Sequence, residues 1–142
     1  MIKAIEPIHE KQVYALICEL QNCMLDIGKF HTIFSLQGQI EGFFRVGYFE
    51  NEQLVGYMSL RIEWHLHHVA RIMEIQELVV QTQFRGKGIG GKLLTHAKEV
   101  AEELGVYQIE LSSNRLRVDA HRFYAREGFL CNHFKFSYLI TP

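Results

Sequence analysis

A chain of 142 residues, 48% apolar and 22% charged, has the length and composition of one soluble globular domain, 1–142, able to bury roughly 70% of its unfolded surface. A net charge of −1, with no basic run and no aromatic-basic interleaving, sets aside nucleic acid as an expected partner. No window approaches a membrane span, Ile2–Ile8 is too short and too broken by Lys3, Glu6 and Pro7 for a signal peptide, and Cys18, Cys23 and Cys131 form no C-x-x-C pair, so they read as buried structural thiols of a reducing cytoplasm.

A short strand at Ile2–Ile5 gives way at Pro7 to a helix from about Ile8 to Leu25, because Val13, Leu16, Ile17, Leu20 and Met24 recur at three- and four-residue steps. A second short helix is expected over Lys29–Ile40. Val46–Phe49 and Leu54–Leu66 flank the polar turn Glu50-Asn51-Glu52-Gln53 and read as a β-hairpin. Leu54, Met58, Leu60, Ile62, Trp64 and Leu66, with Gly56 among them, share the face assigned to a core. Tyr57, Ser59, Arg61, Glu63, His65 and His67 share the other, polar enough to line a cleft.

The next strand, about Val69–Gln81, changes face within itself: Met73 and Ile75 are apolar on odd positions, Leu78 and Val80 on even ones. Because side chains alternate with period two, the swap calls for one extra residue, a β-bulge near Gln76–Leu78 that splays the strand. Ile89, Leu93, Leu94, Ala97, Val100, Ala101 and Leu104 then form one helical stripe, stopped by Gly105. Val106–Leu111 is a strand. Asp119 is expected to cap a short helix carrying Ala120, Phe123 and Tyr124, closed by Gly128, and Phe129–Ile140 to supply one or two last strands. The order implies an α+β (mixed α/β) fold around a largely antiparallel sheet.

Between the bulged strand and the long helix lies QFRGKGIGGKL, residues 83–93, whose glycines would let backbone N–H groups at a helix start approach an anion. Gly86, Gly88 and Gly91, with Glu110 beyond them, fit a dinucleotide fingerprint. That fold, however, opens with its glycine unit and continues through parallel βαβ repeats, and only about 50 residues follow here. A Walker loop ends in G-K-S or G-K-T, which Gly91-Lys92-Leu93 does not supply. Arg85 followed by Gly88 and Gly90 fits the Arg-x-x-Gly-x-Gly loop that acetyltransferases present to the pyrophosphate of coenzyme A.

ELVVQTQFRGKGIGGKLLTHAKEVAEELG, then ELSSN, then HRFYAREGF resemble the acetyl-CoA-binding half of the GNAT superfamily of N-acetyltransferases. Within it, VYALICEL, EWHLHHVARIMEIQELVV and DAHRFYAREGF with HFKFS resemble the bacterial aminoalkylphosphonate N-acetyltransferases. The resemblance implies the GNAT fold and direct acetyl transfer from acetyl-CoA, the cosubstrate, to a small primary amine in a ternary complex. It assigns Leu78, at the bulge, a backbone N–H for the developing oxyanion, and Leu78, Val79 and Val80 a strand-like pairing with the pantetheine arm. Arg85, Gly86, Lys87, Gly88, Ile89 and Gly90 would form the pyrophosphate loop, with Gly91 at the helix entry and Asn114 on the pantetheine. Tyr124 would protonate the leaving thiolate. Glu77 is the first choice for the base, Glu74 the second, with His65 and His67 as rivals of better-matched pKa.

A phosphonate calls for cations or a metal, so Arg61, His65 and His67 are expected on the substrate side, with Glu74, the second candidate base, beside them. A divalent metal is left open, with His65 and His67 as its candidates and His68, Glu63 or His121 to complete a set. Three alternatives stand at this point: an acetyltransferase for a polyamine, amino sugar or amino acid, an acetyl-CoA-binding regulatory module without chemistry, and an acetyltransferase for protein N-termini or lysines. Homodimerisation through the aromatic segment Phe134–Ile140 is also open.

Overall fold

Alternating strands and one tight turn set the architecture. The computed structural model describes residues 1–141, in two units, Met1–Leu111 and the segment from Ser112 on. The first holds a five-stranded sheet in the order β1-β2-β3-β4-β5, where β1 is Ile2–Ala4, β2 Phe43–Glu50, β3 Gln53–His65, β4 Ala70–Val80 and β5 Gln108–Leu111. Neighbours from β1 to β4 are antiparallel, and β5 runs parallel to β4. Asn51 and Glu52 join β2 to β3 at φ 48° and 66°, and two successive left-handed residues match the twist of the flanking strands. The helices are α1 (Glu10–Gln21), α2 (Ile27–Gln37) and α3 (Ile89–Glu103) in the first unit and α4 (Val118–Arg126) in the second. Among the described residues no helix is long and apolar enough to cross a membrane.

Helices sandwich the inner half of the sheet. On one side Val13 and Leu16 of α1 and Phe34 of α2 bury against Ile5, Phe49, Leu54, Tyr57 and Val79, with Ile17, Leu20 and Phe30 packed beside them. On the other, α3 buries Ile89, Leu93, Leu94, Ala97 and Ala101. Leu93 and Leu94, fully covered, contribute roughly 1.5–3 kcal/mol each by burial. Gly56 lets α3 approach β3 closely: a Cβ there would stand 3.0 Å from Ile89 Cγ2 and 3.1 Å from Leu93 Cδ1.

Several expectations need correction. α1 stops at Gln21, where Asn22 turns left-handed at φ 55°, so Met24 leaves the apolar stripe and is 81% exposed. The core face of β3 is core only as far as Leu60. Met58 and Leu60 are buried, but Trp64 is 77% and Leu66 96% exposed, whereas Tyr57 and Ser59 on the polar face are buried. The sheet's inner half is covered on both faces, and the β3–β4 hairpin runs on past the helices. There Trp64 takes its cover from the Arg71 guanidinium, 5.3 Å from the ring centroid.

Of the cysteines only Cys18 is buried; Cys23 and Cys131 are exposed. In the second unit Asp119 does not cap α4: Arg117 is the N-cap residue, and Asp119 sits inside the first turn, 3.4 Å from the exposed Arg122. Phe129–Ile140 forms no strand. A strand needs a ladder to satisfy its backbone, none is present among the described residues of that unit, and Phe134 and Phe136 stand 92% exposed.

Candidate active site

The face swap read in β4 has its physical cause at Gln76. Ser59 pairs with Glu77 and the next β3 residue, Leu60, with Ile75, so Gln76 is the extra residue of a bulge. The bulge turns Glu77 toward Ser59. The buried Ser59 hydroxyl donates to Glu77 Oε1 in a short hydrogen bond and accepts from the Glu77 N–H at 3.1 Å. Ser59 thereby repairs the ladder where the bulge breaks it and orients the carboxylate. Tyr57, two residues earlier on the same face, is also buried. Burial first, and the Glu77 carboxylate second, push its phenol well above the ordinary tyrosine range, against smaller opposing effects of Arg45 and of a hydrogen bond with Ser59. The sequence pattern put Tyr57 and Ser59 on a polar face but gave neither a role; a small hydroxyl opposite a bulged glutamate was the available signal.

Below the bulge β4 keeps one neighbour only. Its pairing with β5 ends at Ile75–Leu111, while its pairing with β3 continues through Leu78–Met58, Val79–Tyr57 and Val80–Gly56. The Glu77 N–H donates to Ser59 and the Gln81 N–H to Val55 O at 2.8 Å, so those amides face β3. Strand alternation turns the amides of Leu78 and Val80 to the opposite edge, where no strand among the described residues pairs with them. This edge can accept an extended ligand arm, with the Leu78 N–H beside Glu77.

The glycine loop continues from that edge. Thr82–Phe84 form a 3-10 turn, Gly86 and Gly88 adopt φ 78° and 81°, and Gly88 is the N-cap of α3 without any side-chain cap. The first helical bond runs from the Lys92 N–H to Gly88 O at 3.1 Å, so the amides of Ile89, Gly90 and Gly91 point out of the helix start. Space above Gly86 and Gly88 is open, with nothing within 4 Å of a Cβ built there. These glycines are required by backbone conformation rather than by crowding. Two anchors hold the loop: Arg85 Nε donates to Val80 O at 3.0 Å, and Glu19 of α1 accepts from the Thr82 N–H at 2.7 Å and from its hydroxyl. Lys87 lies over the Phe84 ring at 5.0 Å. Glu19 belongs to the site's framework, and no sequence signal marked it.

In the second unit, Asn114 closes a turn by accepting from the Leu116 N–H at 2.9 Å through Oδ1. Its carbonyl meets His121 Nε2 at 2.8 Å. Tyr124 lies between Phe123 and Phe129, with ring centroids 5.3 and 5.9 Å away. Burial raises its phenol above the ordinary value, with Arg117 opposing, which keeps a proton on the hydroxyl through the neutral range.

The substrate-side residues divide into two groups. Arg61 lies across from Glu74, two residues from Ser59 on the same face, and pairs with Glu63 at 2.7 Å. His65 and His67 are at the far end of the hairpin, His65 opposite Ala70. Six residues along β3 separate His65 from Ser59, roughly 20 Å, so the histidines do not join Glu77.

The sequence profile of the Acetyltransferase (GNAT) family matches residues 12–129. A curated relative, the aminoalkylphosphonate N-acetyltransferase of Salmonella typhimurium, is 45% identical over 128 residues, covering 88% of this chain and 81% of that protein. Among solved structures, a transcriptional regulator from Bacillus halodurans superposes with a TM-score of 0.91 at 20% identity, covering 99% of each chain. An acetyltransferase from Trypanosoma brucei gives 0.82 at 19% identity, again covering 99% of each. These two likenesses speak to the fold alone; the profile and the relative carry the family.

Proposed function

The chain belongs to the GNAT family of acetyltransferases, and on that premise we propose that the amine it acetylates, with acetyl-CoA as donor, is carried by an aminoalkylphosphonate. The observation that carries the substrate class is the 45% identity to an aminoalkylphosphonate N-acetyltransferase, sustained over 88% of the chain.

The pyrophosphate of acetyl-CoA would rest on the amides of Ile89, Gly90 and Gly91, with Arg85 and Lys87 adding positive charge. The pantetheine arm would pair along Leu78–Val80, and Asn114, by its match to the family's asparagine, would hydrogen-bond it. The acetyl carbonyl oxygen would accept from the Leu78 N–H, where a fixed dipole stabilises charge as it develops. Glu77, held by Ser59, takes a proton from the substrate ammonium directly or through a water, and Glu74 is the second candidate for this step. The neutral amine attacks the carbonyl carbon, the intermediate collapses with cleavage of the C–S bond, and the thiolate takes its proton from Tyr124.

Two carbons separate nitrogen from phosphorus in 2-aminoethylphosphonate, so the phosphonate lies within about 5–6 Å of the reacting amine. Arg61, about 7 Å along β3 from Ser59, starts just beyond that span but carries a side chain long enough to lean back across the gap; His65, roughly 20 Å away, and His67 beyond it do not.

The test is coenzyme A release from acetyl-CoA with 2-aminoethylphosphonate, beside a polyamine, an amino sugar and an amino acid. Release with the phosphonate at a kcat/KM at least about tenfold above the others supports the assignment. Turnover confined to the other amines overturns the substrate class and leaves the acetyltransferase.

A further inference from the structure

The tip of the β3–β4 hairpin carries a cluster that the proposed reaction does not use. His65, His67 and His68 present ligand nitrogens that all lie within 4.8 Å of one another. Their rings are mutually close, with centroids 5.4 Å apart for His65–His67, 5.9 Å for His65–His68 and 4.2 Å for His67–His68. Three imidazoles gathered within residues 65–68, at the end of β3 and the start of a four-residue turn, gain little from each other as hydrophobic groups. Each also keeps a lone pair or an N–H that must be satisfied. One is not: His65 Nδ1 is shielded from solvent and has no hydrogen-bond partner among the described residues, a costly state for a polar atom unless something binds there.

β5 and the residue before it complete the surroundings. Glu110 Oε2 stands 3.9 Å from His68 Nε2, and that same oxygen accepts from Gln108 Nε2 at 2.8 Å. A carboxylate beside a ligating imidazole is the usual device for fixing its ring and raising its basicity. The Tyr107 ring lies against His68, with centroids 5.9 Å apart. The turn itself is sharply set, since Val69 adopts φ 50°, a conformation a β-branched residue rarely takes.

We propose that His65, His67 and His68 form a site for a divalent first-row transition metal of the zinc, nickel or cobalt class, with Glu110 as its outer carboxylate. Imidazole nitrogens suit these ions and suit magnesium and calcium poorly. Nitrogens about 2.0–2.1 Å from an ion stand roughly 3.0–3.5 Å from each other. Ring rotation of the exposed His67 and the half-exposed His65 and His68 closes the difference from the distances above. Three protein ligands leave a coordination position open. At roughly 20 Å from Ser59 and Glu77 along β3, an ion here acts on the hairpin and on whatever ligand takes its open position, not on the acetyl transfer.

Cobalt(II) titration of the chelator-treated protein tests this, followed by visible absorption and by the thermal unfolding midpoint. Neither readout depends on turnover, so failure here is distinct from failure of the acetyltransferase reading. One equivalent is expected to bind, with d–d bands and no thiolate charge-transfer band, and to raise the midpoint. Magnesium should do neither. His67→Gln, at an exposed position, should weaken binding at least about tenfold and leave the ion-free midpoint near that of the parent. Glu110→Gln should weaken it by about 10–100-fold. Equal binding in the His65→Gln/His67→Gln/His68→Gln variant would overturn the site. So would loss of binding on alkylating Cys23 and Cys131, the exposed thiols.

Discussion

Ser59 and Glu77 form the smallest unit from which the chemistry can be argued. One buried hydroxyl both donates to the Glu77 carboxylate and accepts from the Glu77 amide. Ser59→Ala therefore leaves the amide without its acceptor, and a stability loss of about 1–3 kcal/mol is expected from the unsatisfied group, read from the urea midpoint. Glu77→Gln keeps the side chain's shape and removes the base. It should lower kcat by about 10²–10⁴-fold with little change in the KM for acetyl-CoA; an unchanged kcat would hand the base to Glu74. Tyr124→Phe tests the other proton. The acid must be protonated to act, and its phenol is raised from the ordinary value of 10.0 by burial. Parent activity should thus hold through neutral pH and fall only as pH rises above about 10. The Phe variant should lose about 10²-fold or more in kcat and lack that alkaline limb. A turnover equal to the parent's would remove Tyr124 from the mechanism.

At the scale of elements, the strand and the loop were legible because their physics is local. The change of apolar parity within β4 pointed to an inserted residue, and Gln76 is that residue. Two glycines ahead of an apolar stripe announced the α3 entry, and both adopt positive φ. What stayed hidden depended on which elements cover which faces. Tyr57 and Ser59 share a parity with Arg61 and His65, yet the first two are buried and Arg61 is exposed, because helix cover ends partway along β3. Asp119 looked like a cap by residue type, but the helix begins one residue earlier. The loop offers the element-scale prediction. Gly88→Ala puts a Cβ at φ 81°, into open space, so the cost is conformational and near 1–2 kcal/mol. Since relief comes by moving the amides of Ile89 to Gly91, the KM for acetyl-CoA should rise several-fold while the amine's KM stays within about twofold. A rise confined to the amine would separate this loop from the cofactor.

For the molecule as a whole, a sheet covered by helices on both sides forces polar groups into its interior, and Tyr57 is the largest such group with a titratable proton. It packs within the cluster of Ile5, Val13, Leu16, Phe34 and Val79, and both burial and Glu77 oppose its ionisation. The folded state holds this proton more tightly than the unfolded chain does. Hence the contribution of Tyr57 to stability is intact below the unfolded pKa of about 10 and is lost as pH climbs above it. Urea unfolding at pH 8 and pH 11 should show the parent losing more stability than Tyr57→Phe over that interval. The loss specific to Tyr57 should approach 1.4 kcal/mol for each pH unit above 10. Lysines and exposed tyrosines titrate in the same window but do so alike in both proteins, so the difference between the two curves isolates the buried phenol. Parallel curves would mean that ionisation of Tyr57 is as easy in the fold as in the unfolded chain, and the closed environment around Ser59 and Glu77 would have to be redrawn as one that admits water.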